Sequence, residues 1–269
     1  MEIISIIWCN KIKRYFDKER ESYMKRILLS VVFVAAFVIP VLSQTNQSKA
    51  TEREKDVIAV VLGKTINIKD KDKVNGAIFG ALLEQYAKEN KIEPTEAELD
   101  AFVQKTEEKQ KQLQAEFEKD RKKLTQELKS TSLNEQEKKE KTARLKTLEN
   151  ILKTTKKVEE ETKGMEEQMR SMRRAMAQHF VKSWKINKSL YEKYGGRIIF
   201  QQAGVEPLDA YREFLKEQEK KGAFQILNKD YEASFWKYFT NDAMHTFYPK
   251  DDGAKFMKTP WWLMDKPIE

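Results

Sequence analysis

The sequence predicts a mainly α protein with one small β-hairpin, and three observations predict it. From Val74 onward, apolar residues recur at spacings of three and four over most of the chain. Ahead of them stands one β-rich run, Ile58 to Ile68, with a single glycine at its middle. Between residues 104 and 163 the chain is almost all Lys, Glu and Gln with a thin leucine stripe, the pattern of a long charged helical hairpin.

Residues 1–43 are set aside before any fold argument. Lys25-Arg26 precedes an apolar run from Ile27 to Leu42, broken only by Ser30 and Pro40. The run is short for a membrane span, which needs about 20 residues. Val41 and Ser43 stand where a signal peptidase expects small or branched residues, so a cleavable signal peptide ending near Ser43 is expected, with Gln44 as the new N-terminus. The protein is then periplasmic or otherwise exported. An uncleaved anchor is the alternative, and the leader would then be the membrane contact. Met24-Lys25-Arg26 looks like a conventional signal start, so residues 1–23 are either upstream of the true start or a long leader.

The single cysteine, Cys9, lies in that removable segment. A mature chain without thiols has no disulfide, thiolate nucleophile or cysteine metal ligand. The net charge of +8 falls to about +5 without the leader. That mild excess attracts anionic surfaces weakly and does not require nucleic acid.

Residues 44–55 are polar and read as a flexible linker. Residues 56–103 form the organising unit. Branched residues flank Gly63 on both sides, which predicts a strand or tight hairpin turning there. Val74, Ile78, Phe79, Leu82, Leu83 and Tyr86 then place one apolar face on a helix. Asn90 caps that helix, and Pro94 prevents it from running on. Thr95 with Glu98 forms a capping box, and Leu99, Phe102 and Val103 begin the next stripe.

Three runs within this unit resemble a known family: Val57 to Ile66, Ile78-Phe79-Gly80-Ala81-Leu82-Leu83-Glu84-Gln85-Tyr86-Ala87, and Asn90-Lys91-Ile92-Glu93-Pro94-Thr95-Glu96-Ala97-Glu98-Leu99. Together they are similar to the N-terminal chaperone domain of SurA-type periplasmic proteins. That family shows a strand ending in a Gly or Asn turn, a helix with paired aliphatics, and a capped helix start ending in Glu-Leu. The resemblance covers about fifty of the 269 residues. It departs where the family usually inserts another helix, because Asp70 to Lys73 leaves little room for one. The resemblance implies binding of unfolded or extended client proteins without ATP.

Residues 104–164 predict the charged hairpin. Leu113, Phe117, Leu124 and Leu128 stripe one arm, and Leu145, Leu148 and Leu152 the other. The arms turn near residues 130–134, with Ser132 and Glu135 offering a capping box. Phe117 is the one aromatic before Phe180 in this region, so no base-stacking platform for nucleic acid is present.

Residues 165–269 should pack back on the first unit. Met165, Met169, Met172, Met176, Phe180 and Trp184 continue the second arm as one stripe, with Gly164 expected to kink it slightly. Tyr194-Gly195-Gly196 ends the helix. Ile198-Ile199-Phe200 reads as a short strand or a helical turn. Pro207 opens a helix bearing Leu208, Tyr211, Phe214 and Leu215, and Gly222 stops it. Phe224 to Leu227 is an edge segment, and Tyr231, Phe235, Trp236, Tyr238 and Phe239 form an aromatic helix. Trp261-Trp262 is expected to dock, since two exposed tryptophans invite association.

Candidate chemistry is sparse. The two histidines are His179, read as a packing residue, and His245 near Asp242 with no nucleophile beside it. No zinc, phosphate-loop or nucleophile-elbow motif occurs. No cofactor or metal is therefore expected, and no catalytic residue is named. The SurA-type family often carries parvulin-type prolyl isomerase domains. Gly195-Gly196-Arg197-Ile198-Ile199 starts like their glycine run and then departs, so the resemblance implies the binding part alone. Phe79, Leu82, Tyr86, Met169, Met172, Met176 and Trp184 are the candidate client-binding residues; equally, they are core. A prolyl isomerase with a diverged site and an envelope scaffold remain alternatives. The client and the oligomeric state are not legible.

Overall fold

The computed structural model describes residues 57–264, apart from 131, 202 and 203. The leader, its expected cleavage near Ser43, Cys9 and the 44–55 linker all lie outside the described residues. The described chain is mainly helical, with a small three-stranded antiparallel sheet.

β1 (Ala59–Val61) and β2 (Lys64–Ile66) form the predicted hairpin. Its two-residue turn holds Leu62 at φ 48° and Gly63 at φ 75°. Two left-handed residues in succession match the right-handed twist of the strands, and Gly63 adopts that conformation without strain. On its other side β1 pairs with β5 (Phe224–Ile226), Ala59 opposite Ile226 and Val61 opposite Phe224. The sheet order is therefore β2-β1-β5, and the edge segment predicted at Phe224 closes the sheet.

α1 (Lys71–Glu89) is capped by Asp70, whose carboxylate accepts from the amides of Asp72 and Lys73. Val74, Ile78, Leu82 and Tyr86 are its buried face. After the Asn90 cap, Lys91 turns left-handed at φ 54° and Ile92 N–H returns to Ala87 O at 2.8 Å. That 6→1 bond satisfies a carbonyl the helix would otherwise leave open.

α2 (Glu96–Glu127) starts at the predicted Thr95–Glu98 box. At 32 residues it spans about 48 Å. α3 (Glu135–Glu161) returns beside its far half. The cap at this turn differs from the expectation. Asn134 and Glu137 form the box, whereas Ser132 bonds Ser130. Asn caps a helix as well as Ser does, and Asn134 is the residue adjacent to the first helical turn. Leu124, Leu148, Ile151 and Leu152 are buried between the arms. Lys141 with Glu127, and Arg144 with Asp120 at 2.9 Å, fix the register.

The expected slight kink at Gly164 is a full break. α3 ends at Glu161, Gly164 sits at φ 86°, and α4 (Glu166–Tyr194) starts anew. α4 runs back beside the near half of α2, tied by Arg173–Glu107 at 3.0 Å, Arg174–Asp100 at 2.8 Å and Lys185–Glu98 at 2.8 Å.

After the Gly195-Gly196 turn, β3 (Ile199–Gln201) and β4 (Gly204–Glu206) pair antiparallel, so the ambiguous segment is a strand. α5 (Leu208–Lys220), α6 (Lys229–Thr240) and α7 (Lys250–Lys258) follow. Gly222 at φ 70° stops α5 through Ala223 N–H to Gln218 O. The main core gathers the sheet, α1, α5 and α6 around Ile78, Leu82, Phe214 and Phe235. A second apolar cluster lies between α2 and α4, and a third joins Ile198, just before β3, to β4 and α7.

Leu62 is 40% exposed and pays for a left-handed backbone that asparagine adopts readily. Leu62→Asn should raise stability by roughly 0.5–1 kcal/mol, because it relieves a conformation costing L residues about 1–2 kcal/mol. The check is a higher urea midpoint at unchanged slope; a lower midpoint would contradict the turn assignment.

Candidate functional site

The candidate surface is built on α4. Its apolar row runs Met165, Met169, Met172, Met176, Phe180, Trp184. A step of four residues overshoots one helical turn by about 40°, so three such steps from Met172 swing Trp184 through about 120°. The row therefore winds around the helix. Its first half is only partly covered: Met165, just before α4, is 42% exposed, and Met169, Met172 and Met176 are half-buried and belong to none of the three buried clusters described. Its second half faces α2, where Phe180 and Trp184 pack beside Leu99, Phe102, Ala177 and Val181.

That covered end is an aromatic groove with an occupant. Trp262, 3% exposed, lies edge-on to Phe102 at 5.1 Å and to Trp184 at 6.0 Å. Trp261 is half-buried and edge-on to Phe180 at 6.2 Å. Phe102 and Phe180 stack at 5.7 Å behind them. The Lys109 ammonium donates to Trp261 O at 3.3 Å and Met264 O at 2.8 Å, while Trp184 Nε1 donates to Phe256 O at 2.8 Å. The expected docking of the two tryptophans is thus observed, although Leu263 beside them is 41% exposed.

The seven candidate residues do not line one cleft. Leu82 and Tyr86, at 2% and 8% exposure, are core. Tyr86 hydroxyl bonds Ser189 at 2.9 Å. Phe79 packs on Tyr211 at 4.8 Å and Phe239 at 5.2 Å. Of the two readings the sequence left open, Leu82 and Tyr86 take the core one and Phe79 is partly buried against them, because α1 has one apolar face and α5 and α6 cover it. Met169, Met172, Met176 and Trp184 remain as one winding row on α4.

One of the two histidines departs from its expected place. His179 is exposed, touching Phe180 edge-on at 5.5 Å rather than packing inside. His245 Nε2 lies 2.7 Å from Tyr238 O, and its buried Nδ1 has no hydrogen-bond partner among the described residues. As the sequence placed it, the ring sits among aromatics, Tyr238 and Phe247, and its amide donates to Asp242 O at 3.1 Å, while the Asp242 carboxylate accepts from Arg197 at 2.7 Å and Arg212 at 3.0 Å.

Two polar clusters escaped the sequence reading. Arg197 binds Asp209 through Nε, Nη2 and its amide, and Asp242 through Nη1, over the face of Phe247 at 4.1 Å. Burial alone would raise the Asp209 carboxyl, but the Arg197 guanidinium holds it below the usual carboxylate range. A Cβ on Gly196 would meet the Asp209 Cβ at 2.4 Å, so glycine is required for this approach. In the second cluster Tyr238 donates to Glu206 at 2.7 Å, and Tyr211 donates to the buried Asn187 at 2.6 Å. Burial pushes the Glu206 carboxyl up, opposed in part by Tyr238 and His245. Burial likewise raises the Tyr238 and Tyr211 phenols. No spacing signal could have joined these residues, which come from different elements. Gly195-Gly196 was the one local hint of a tight approach.

Among the described residues no group of His, Cys, Asp or Glu is arranged to hold a metal ion, and no helix is long and apolar enough to cross a membrane. Comparison with family models, with curated proteins and with solved structures finds no match to this chain.

Glu206 gives a pH prediction. A carboxyl whose folded-state value is raised stabilises the fold fully below the ordinary value of 4.5, and that contribution is lost as pH rises through the folded value. Glu206→Gln keeps an acceptor for Tyr238 and removes the charge. Its melting temperature should exceed the unsubstituted protein's at pH 8, with the difference vanishing near pH 4. An equal or lower value at pH 8 would show that Glu206 is not held in a desolvated site.

Proposed function

We propose that the protein is an exported, ATP-independent chaperone-like binder of unfolded or extended client polypeptides. The observation that carries this reading is the first half of the α4 row, where Met165 is exposed and Met169, Met172 and Met176 are only partly covered and lie outside every buried cluster described. Methionine is unbranched and polarizable, so it packs against irregular apolar partners at little cost in fit. Glu166, Glu167, Arg170 and Arg173 surround the row and would keep a loaded complex soluble.

The arm supports the same reading. Arg144–Asp120 and Lys141–Glu127 pair within one hairpin, so the facing charges of α2 and α3 are met without a second copy. The SurA-type resemblance of residues 56–103 points to client binding, and the leader pattern to export. The reaction class is therefore none: apolar surface is captured and released by equilibrium.

The test is suppression of aggregation. The protein at stoichiometric ratio, without ATP, should keep a denatured β-barrel polypeptide from scattering light. Met169→Glu with Met172→Glu should weaken suppression about tenfold or more, since each charge placed against a client's apolar surface costs about 1–3 kcal/mol, while the melting temperature stays within a few degrees. A folded, soluble protein that suppresses nothing would sink the proposal.

A further inference from the structure

The positive excess of the chain is not spread evenly. Residues 119–146, the far end of the α2–α3 hairpin, hold ten Lys and Arg against five Asp and Glu. That difference equals the whole excess of about +5 left without the leader. On α2 the charge is sorted further. Positions 111, 115, 119, 122, 126 and 129 recur every three or four residues and read Lys, Ala, Lys, Lys, Gln, Lys. All six are exposed and none is acidic; Lys129 closes the row just past the helix. We infer that this lysine row is a docking face for an anionic lipid surface, along which the arm lies lengthwise. The inference stands apart from the reading of α4 as a client surface.

The fold turns this row outward. α2 buries Leu124 against α3, and Leu99 and Phe102 in the cluster it shares with α4. At about 100° per residue these three lie on one side of the helix, and the row lies about 140–180° round from Leu124. Both seams therefore face away from the lysines. The carboxylates of the arm are engaged elsewhere. Asp120 meets Arg144 at 2.9 Å, Glu118 meets Arg121 at 2.9 Å, and Glu127 meets Lys141 and Lys123. The ion pairs described for the arm leave out Lys119, Lys122 and Lys129, so their charge is not met within the described chain. From Glu107, tied to Arg173 of α4, the helix runs on for about 30 Å to its end at Glu127. That length carries the row away from the aromatic cluster.

The chemistry of the row selects the partner. Lysine presents a hydrated point charge that attracts phosphate without a preferred angle. The row holds no arginine fork and no ring on which a base could stack, the two groups that nucleic-acid recognition draws on. It is also straight, about 27 Å from Lys111 to Lys129. A flat array of lipid phosphates meets all four ammonium groups together, whereas a duplex backbone winds away from a straight helix. Each lysine held near an anionic leaflet strengthens attachment about fivefold. The contact is electrostatic and needs no apolar residue inside the bilayer, which fits a face with only Ala115 and Gln126 between its lysines.

The test is co-sedimentation of the full chain with vesicles of phosphatidylcholine, alone or mixed with phosphatidylglycerol. Lys119→Gln, Lys122→Gln and Lys129→Gln together should lower attachment to the anionic vesicles about tenfold or more, because three of the roughly fivefold contributions are lost. Helix content and melting temperature should stay unchanged, since all three side chains are exposed. Lys139→Gln, Lys146→Gln and Lys153→Gln remove the same charge from exposed positions about 140–180° round α3 from the buried Leu148, on the other side of the hairpin. That variant should lose less than about threefold, the share of one lysine at most. Residues 1–56 are common to every variant, so the difference between variants reads the arm. Raising the salt from about 0.1 M to about 1 M shortens the screening length from about 10 Å to about 3 Å and should abolish what phosphatidylglycerol adds. Equal losses in the two triple variants would show attraction to net charge alone and overturn the inference. So would a first variant that attaches as the unsubstituted protein does, or no added attachment with phosphatidylglycerol. Binding of a labelled DNA duplex that the first variant loses, without vesicle attachment, would overturn the lipid assignment in favour of nucleic acid. Aggregation suppression by the first variant should match the unsubstituted protein, which keeps the client reading and this one separable.

Discussion

The structure depends on one antiparallel pairing, β1 with β5. Ala59 and Val61 are almost fully buried, and Phe224 opposite Val61 is 2% exposed. Ile58 bridges the sheet: its amide donates to Ile66 on one side, and its carbonyl accepts from Leu227 on the other. A lone β1–β2 hairpin of three-residue strands would be marginal in water. With β5 added, a sheet exists that α1, α5 and α6 can cover. Every element between β2 and β5 is thus a long excursion between two strands that must meet. The cost of closing so long a loop grows only slowly with length. The helices inside the excursion are held by local contacts, so it is the β1–β5 ladder that demands partners far apart in sequence.

This division explains what was legible in the sequence. Features fixed within four or five residues were readable: the turn at Gly63, the Thr95–Glu98 box, the stop at Gly222, the apolar face of α1. Features needing a partner far along the chain were readable only as types. Phe224 to Ile226 reads as an edge segment, but nothing in three residues says which strand it joins or in what register. The α3–α4 break was missed because the apolar spacing continues across it and a lone glycine is often tolerated in a helix. The cap register at Asn134 was missed because two overlapping boxes fit the same turn.

Periodicity also reports a face without saying what covers it. Leu82 and Met172 are equally good stripe residues by spacing, yet one is core and the other only partly buried. The difference is set by neighbours. α1 lies under two helices, whereas the start of α4 lies against a single charged spine. The Arg197–Asp209–Asp242 and Glu206–Tyr238 clusters were invisible for a related reason. A polar side chain in a charged sequence carries no mark of the partner it will find after folding.

The charges of the arm do a different job from its leucines. The Arg144–Asp120 pair is about one-third exposed on each side. Pairs so placed contribute about 0–1 kcal/mol, so they set register and solubility more than stability. Stability must come from Leu124, Leu148, Ile151 and Leu152, a thin seam with little left over for other partners. α4 divides its row between two environments. At the aromatic end, Phe180 and Trp184 are consumed by packing with Phe102 and Trp262, where ring edges demand particular angles. At the other end, Met169, Met172 and Met176 are half-buried outside the three clusters described, and their flexible side chains fit an irregular surround that branched residues would not.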